Sequence, residues 1–180
     1  LPAYLLVPQK IEKSAVIAIH GHGEVGPAIG LSDDYHHRFT LELAKAGHLV
    51  LCPELRGFGA LQDLALQEEG QRLDYWTGAG PRAYSLCTDS FQHGWPLIGQ
   101  TIEDLMRWED WLIREYEEPQ LDAVGISYGG DLALAQLRAL EKRRFGHLGQ
   151  HVVEVVDLAD PFAEGLGGGE LVLDLHVVEQ

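Results

Sequence analysis

The sequence predicts an α/β fold with a mostly parallel sheet and helices on both faces. Three observations point to it. Short apolar, β-branched runs bounded by turn residues recur at Ala15 to Ile19, Leu49 to Cys52, Leu121 to Ile126 and Val152 to Leu158. Longer stretches with helical spacing lie between the second and third runs and between the third and fourth, the alternation that parallel sheets require for their crossovers. The chain's 180 residues, 46% of them hydrophobic and 23% charged, suffice for one substantial core, so a single domain spanning 1–180 is expected.

Taken in order, Tyr4 to Val7 reads as a first short strand and Ala15 to Ile19 as a central one. A helix is expected from near Ser32, with Asp33 and Asp34 favourable at its N-terminus, to just before Gly47. Leu49 to Cys52 follows as a strand. From 60 to 99 no clean period holds, yet Tyr75, Trp76, Tyr84, Phe91 and Trp95 stand there among Gly and Pro, which suits either a lid or pocket loop or a surface excursion pinned by its aromatics. Ile102, Leu105, Trp108, Leu112 and Ile113 keep helical spacing between Thr101 and Arg114, and Thr101 with Asp104 could form a capping box. After the strand Leu121 to Ile126, a helix from about Gly130 to Arg144 would bury Leu132, Leu134, Ala135, Leu137 and Leu140, with Gly146 as its stop. The segment 146–180 changes character: a Val-rich run, the glycines at 165 and 167–169, and a last apolar run at Leu171 to Val178 that reads as another strand.

Charge narrows the function. Thirteen basic against 28 acidic residues leave a formal charge of −15, which repels a phosphate backbone, so nucleic acid is not an expected partner. No apolar run approaches the roughly 20 residues that span a bilayer, and the chain opens on no basic-then-apolar leader. A soluble, cytoplasmic protein without a membrane partner is the expectation, a signal removed before Leu1 being compatible with the same sequence. Cys52 and Cys87 are too few and too distant for a disulfide scaffold or a paired-cysteine zinc site and read as reduced thiols.

Two motifs carry chemistry. Gly125-Ile126-Ser127-Tyr128-Gly129 follows a strand and precedes a helix, the setting in which G-x-S-x-G has mechanical meaning. A serine on so sharp a turn is held proud of the sheet, and the flanking glycines remove side chains that would collide there. Ser127 is therefore the candidate nucleophile, with the Tyr128 N–H at the mouth of the next helix facing the oxyanion. The bland alternative is a glycine-rich turn that happens to contain serine. The second motif, His20-Gly21-His22-Gly23, ends the strand Ala15 to Ile19; its glycines let backbone amides approach a ligand, and the His22 N–H is the candidate second oxyanion donor. Asp33, Asp34, His36 and His37 follow nearby, but their spacing matches no usual helix-borne zinc motif, and the paired histidines read as solvated; no metal and no cofactor are expected.

The His20 to Gly23 turn, the run Pro53-Glu54-Leu55-Arg56-Gly57-Phe58-Gly59 after the next strand, and the turn at Ser127 together resemble the α/β-hydrolase superfamily, in its dienelactone-hydrolase and acetyl-xylan-esterase-like branch. The resemblance runs from about Leu1 to Arg144, with the three motifs in the family's order on successive strands. It implies that Ser127 is the nucleophile, that His22 and Tyr128 donate to the oxyanion, and that Arg56 to Gly59 shape the pocket rim, a loop-bracing guanidinium being the alternative for Arg56. The chain departs from the family after the serine. Such enzymes use further β/α units to deliver an acid and a histidine, and only 53 residues follow Ser127 here. Asp157 or Asp160 as acid and His176 as base stand in the right order, but His176 lies inside an apolar run. The simplest expectation is a hydrolase incomplete at both ends, a fragment or a product with an altered C-terminal frame.

The expected function is hydrolysis of a small-molecule carboxylic ester through an acyl-enzyme on Ser127. Amide or peptide hydrolysis on the same fold is the near alternative, because both bonds pass through the same tetrahedral intermediate. The alternative of another class is a catalytically silent binding module that lacks the acid and base.

Overall fold

The computed structural model describes residues 1–61, 83–117, 121–143 and 174–179. Five strands, β1 (Pro2–Val7), β2 (Ala15–Ile19), β3 (Leu49–Pro53), β4 (Leu121–Gly125) and β5 (Asp174–Glu179), form one sheet in the order β4-β2-β3-β1-β5. β2 pairs in parallel with both β3 and β4, whereas β1 runs antiparallel to both β3 and β5. Among the described strands only β1 is therefore reversed, and the sheet is mostly parallel, as expected. Every residue of β2 and β3 is buried, the mark of strands covered on both faces, and their runs AVIAI and LVLCP carry no charge for that reason. β4 is buried at its two ends and half-buried between.

Two apolar layers cover the sheet. On one face Leu5, Ile17, Ile19, Leu49 and Leu51 pack with Leu105, Trp108 and Leu112 of α3 (Leu97–Tyr116) and with Leu132 and Ala133 of α4 (Tyr128–Arg143). On the other, Leu6, Val16, Ala18, Val50 and Cys52 meet Val25, Ala28, Ile29 and, from α1 (Phe39–Lys45), Phe39 and Ala44. Alternate side chains of a strand point to opposite faces, so β1, β2 and β3 feed both layers at once. Burial in the second layer also pushes the Cys52 thiol well above its usual value, with the Glu54 carboxylate adding to the effect.

Four local expectations are corrected. The helix anticipated from Ser32 begins only at Phe39: Asp34 Oδ1 accepts the His36 N–H at 2.7 Å, a local bond that competes with helix, and His37 and Arg38 hold φ of 50° and 55°. Thr101 is not a cap. α3 starts four residues earlier, after Pro96, and the Thr101 hydroxyl donates back to Leu97 O at 2.9 Å while Asp104 turns to Arg56. A helix, α2 (Ala83–Gln92), stands where no period was legible, packed on α3. In α4, Leu132 is buried but Leu134 is 45% exposed. The remainder of the 60–99 excursion, residues 62–82 with Tyr75 and Trp76, lies outside the described residues, as do the run Val152 to Leu158 and most of 146–180.

Among the described residues no helix is long and apolar enough to cross a membrane.

Candidate active site

The strand order sets the place. From β2 the chain goes to β3 on one side and later to β4 on the other, so the carboxyl ends of β2 and β4 diverge at a topological switch point, where open α/β sheets form a crevice. The two motifs found in the sequence occupy those two ends. Ile19 and Gly125 are register partners, and the Ile126 N–H extends the ladder by one more bond, 3.2 Å, to Ile19 O.

Ser127 sits at φ 55°, in the left-handed region, between β4 and α4, and is exposed. A non-glycine residue there stores backbone strain that its surroundings must hold. Those surroundings are tight. A Cβ on Gly129 would stand 2.1 Å from Ile19 O, and one on Gly125 would stand 2.1 Å from Gly129 O. Only glycine at both positions lets the turn double back. The next N–H groups close it: Gly129 N–H to Ile126 O at 2.9 Å and Gly130 N–H to Ser127 O at 2.8 Å. The Tyr128 N–H opens α4, where the first amides of a helix have no partner within it.

The turn after β2 is gripped by three side chains. His36, fully buried, accepts the Gly21 N–H on Nε2 at 2.9 Å and donates from Nδ1 to Asp34 Oδ1 at 2.7 Å. Burial holds its pKa below the usual histidine value against the opposing pull of Asp34. His20, also fully buried, has Nδ1 2.9 Å from Gly21 O, and its Nε2 accepts the Leu55 N–H at 3.2 Å. Glu54 Oε1 lies 3.1 Å from the same Nε2 without meeting it in a hydrogen bond. Tyr35 donates its hydroxyl to His22 O at 2.7 Å, and the Ser127 hydroxyl is near enough to act on its phenol. Its phenol is pushed up by burial first and by Asp34 second, so it remains protonated and able to donate. Gly21 makes room for this: a Cβ there would lie 2.3 Å from the Tyr35 hydroxyl.

Beside the serine stands a wall of rings. His22 and Tyr128 are 5.1 Å apart by centroid, and Phe58 packs edge-on to His22 at 5.7 Å and tilted to Tyr128 at 6.2 Å. Burial, followed by the nearness of Cys87, raises the Tyr128 pKa. Phe91, near the end of α2, and Trp95, three residues beyond it, are 63% and 54% exposed.

The other candidates are placed differently. Arg56 is engaged by Asp104 of α3 through both carboxylate oxygens, Nη2 to Oδ1 at 3.0 Å, and by Gln100 Oε1 at 3.3 Å, the geometry of a brace between the β3 loop and α3. Asp104 in turn keeps the guanidinium's pKa above its ordinary value. His36 is buried rather than solvated, and only His37 of the pair is exposed. His176 lies on β5, opposite Leu5 of β1. With β2, β3 and β1 between β4 and β5, its backbone is about 19 Å across the sheet from the strand that carries Ser127, at ordinary strand spacing. The structure thus brings His22, Ser127 and Tyr128 together and does not bring His176 to them. Asp157 and Asp160 lie outside the described residues. Tyr35 is the site residue that the sequence analysis did not single out, and His20 and His36, named there, were not given the holds they make; only the packing of Asp34-Tyr35-His36 against the β2 turn reveals these roles, and that is tertiary.

A mostly parallel sheet with helices on both faces and a serine turn at the switch point define an open α/β fold. The same fold appears in a crystal structure from Bacteroides fragilis described as a "putative acetyl xylan esterase", which superposes with a TM-score of 0.58 at 18% sequence identity over 76% of this chain. This chain spans 37% of the length of that protein. No protein-family model matches the sequence, and no curated protein matches it.

Proposed function

We propose that this protein is a serine hydrolase of carboxylic esters, with Ser127 as nucleophile and the backbone N–H groups of His22 and Tyr128 as oxyanion donors. One observation carries the reading: the exposed Ser127, at φ 55° between β4 and α4, stands on a turn packed against the end of β2, where Ile126 N–H bonds Ile19 O and Gly129 leaves no room for a Cβ beside Ile19 O and His20 O. Ser127 Oγ attacks the ester carbonyl, the alcohol leaves, and water releases the acid from the acyl-enzyme. Amides fixed at the ends of two adjacent strands need no reorganisation as the oxyanion forms, which is why such donors are effective. The ring wall of His22, Phe58 and Tyr128 suits an apolar or planar part of a small substrate. The likeness to the Bacteroides fragilis structure supports the fold on which this chemistry rests and agrees with an ester as substrate.

His20 and His36 do not serve as the general base in this reading, because their ring nitrogens are taken up by Gly21, Leu55 and Asp34. The strand order that separates β5 from β4 favours a second reading, a hydrolase-like module that binds a small molecule without turning it over. Labelling by a fluorophosphonate and turnover of an aryl acetate against an aryl anilide separate the possibilities. The ester reading expects labelling and acetate turnover, both lost in Ser127→Ala, whose fold is intact because the exposed hydroxyl fills no core space. The loss should be several orders of magnitude in kcat, about 10⁴-fold or more. Undiminished turnover by Ser127→Ala removes Ser127 from the mechanism, and absence of both labelling and turnover leaves the silent module.

A further inference from the structure

The turn that presents the His22 N–H contains two glycines, and such a segment has little conformational preference of its own. Its peptide planes are set from outside. The Gly21 N–H is held by His36 Nε2 and the Gly21 carbonyl by His20 Nδ1, each at 2.9 Å, while the His22 carbonyl is held by Tyr35 at 2.7 Å. In a trans peptide the N–H points opposite to the preceding carbonyl, so fixing the Gly21 carbonyl fixes the direction of the His22 N–H. Of the three holds, that of His36 reaches furthest along the chain, 15 residues, and comes from a ring that is fully buried and itself held by Asp34.

We propose that His36 is a positioning residue of this site: its ring, oriented by Asp34, accepts the Gly21 N–H and so fixes the His20–Gly21 peptide, the plane from which the next peptide, held by His20 and carrying the His22 N–H, departs. The kinetic part of this proposal rests on the esterase reading, whereas the structural part does not. An imidazole can accept on Nε2 only while that nitrogen carries no proton. Protonation would set one N–H against another, and the Gly21 amide would have to turn away. The groups that face the ring are Asp34, Tyr35 and His37 on its own segment and His20 from the end of β2. Asp34 favours the protonated ring; His20, His37 and above all burial oppose it, which keeps the acceptor available at neutral pH. The device is thus a hydrogen-bond acceptor that acid removes.

The test uses the full chain labelled with ¹⁵N, following the Gly21 amide resonance through a pH titration. It should move in a single step with a midpoint below 6.5, in the wild type and in Ser127→Ala alike. Asp34→Asn, which leaves the ring in place, should carry the step to lower pH, and His36→Gln should abolish it. In ester turnover His36→Leu should lower kcat about 10- to 100-fold with KM little changed, the scale of a displaced oxyanion donor. His36→Gln, whose Oε1 can still accept, should recover part of that loss. A Gly21 resonance that ignores the titration, or a His36→Leu protein with undiminished kcat, overturns the proposal. Turnover that survives in Ser127→Ala overturns the esterase reading instead, and leaves the Gly21 titration to judge His36.

Discussion

Substituting Ala for Gly129 and, separately, for its neighbour Gly130 tests how the site is held. Both residues lie in the first turn of α4, where Ala is ordinarily favoured over Gly by up to about 1 kcal/mol. Gly130 should follow that rule, because a Cβ there meets nothing nearer than Gly125 O at 3.5 Å, ordinary van der Waals contact. Gly129 should break it. Its Cβ would stand 2.1 Å from Ile19 O and 2.6 Å from His20 O, some 1 Å inside the ~3.3 Å at which carbon and carbonyl oxygen normally approach. Both obstacles are backbone at the end of fully buried β2, so no side chain can swing aside. Overpacking of this kind costs about 1–3 kcal/mol, and separating the strand ends also weakens the Ile126 N–H to Ile19 O bond, worth about 1 kcal/mol. After the propensity gain, Gly129→Ala should be destabilised by about 1–3 kcal/mol and Gly130→Ala stabilised by up to about 1 kcal/mol. Urea unfolding followed by tryptophan fluorescence, to which the buried Trp108 contributes, reads the difference. At about 2 kcal/mol per molar urea, the midpoints should fall by roughly 0.5–1.5 M and rise by at most about 0.5 M, respectively. Equal midpoints for the two variants, or a Gly129→Ala protein as stable as the wild type, would refute the close approach of β2 and the serine turn.

The brace between Arg56 and Asp104 should be worth less than a fully buried pair, since their side chains are 25% and 11% exposed; Asp104→Ala should cost about 1–3 kcal/mol, and a double-mutant cycle with Arg56→Ala should show coupling where independent loops would add. His36 makes stability depend on pH. Its folded-state pKa lies below the unfolded value near 6.5, so the unfolded chain takes up the proton first. The contribution is complete above pH 6.5 and is lost as the pH falls through the folded value, and denaturant melts of His36→Gln across the same range should show that slope flattened.

Much of the body was legible because burial imposes composition. β2 and β3 are covered on both faces, so their sequences had to be continuous apolar runs, and the face of α3 that meets them had to carry Leu105, Trp108 and Leu112 at helical spacing. α2 was not legible, since it carries neither an acidic first turn nor a basic last turn and stands in a stretch where aromatics, Gly and Pro break any single period. The helix expected from Ser32 failed for the opposite reason: acidic residues that suit an N-terminus also bond locally, and Asp34 chose the His36 N–H.

By itself the sequence determined the alternation of strands and helices and the serine turn, for these depend on side-chain periodicity and on glycines that must lie within a few residues of the serine. Only the tertiary structure decided that the β2 turn and the β4 turn lie side by side, because that follows from strand order, which no local pattern encodes. The same holds for the grip on the Gly21 amide. Asp34, Tyr35 and His36 read in the chain as the start of a helix with a solvated histidine pair; burial of one ring and the reach of one hydroxyl, both set by how the loop folds back over β2, turn them into the frame of the site.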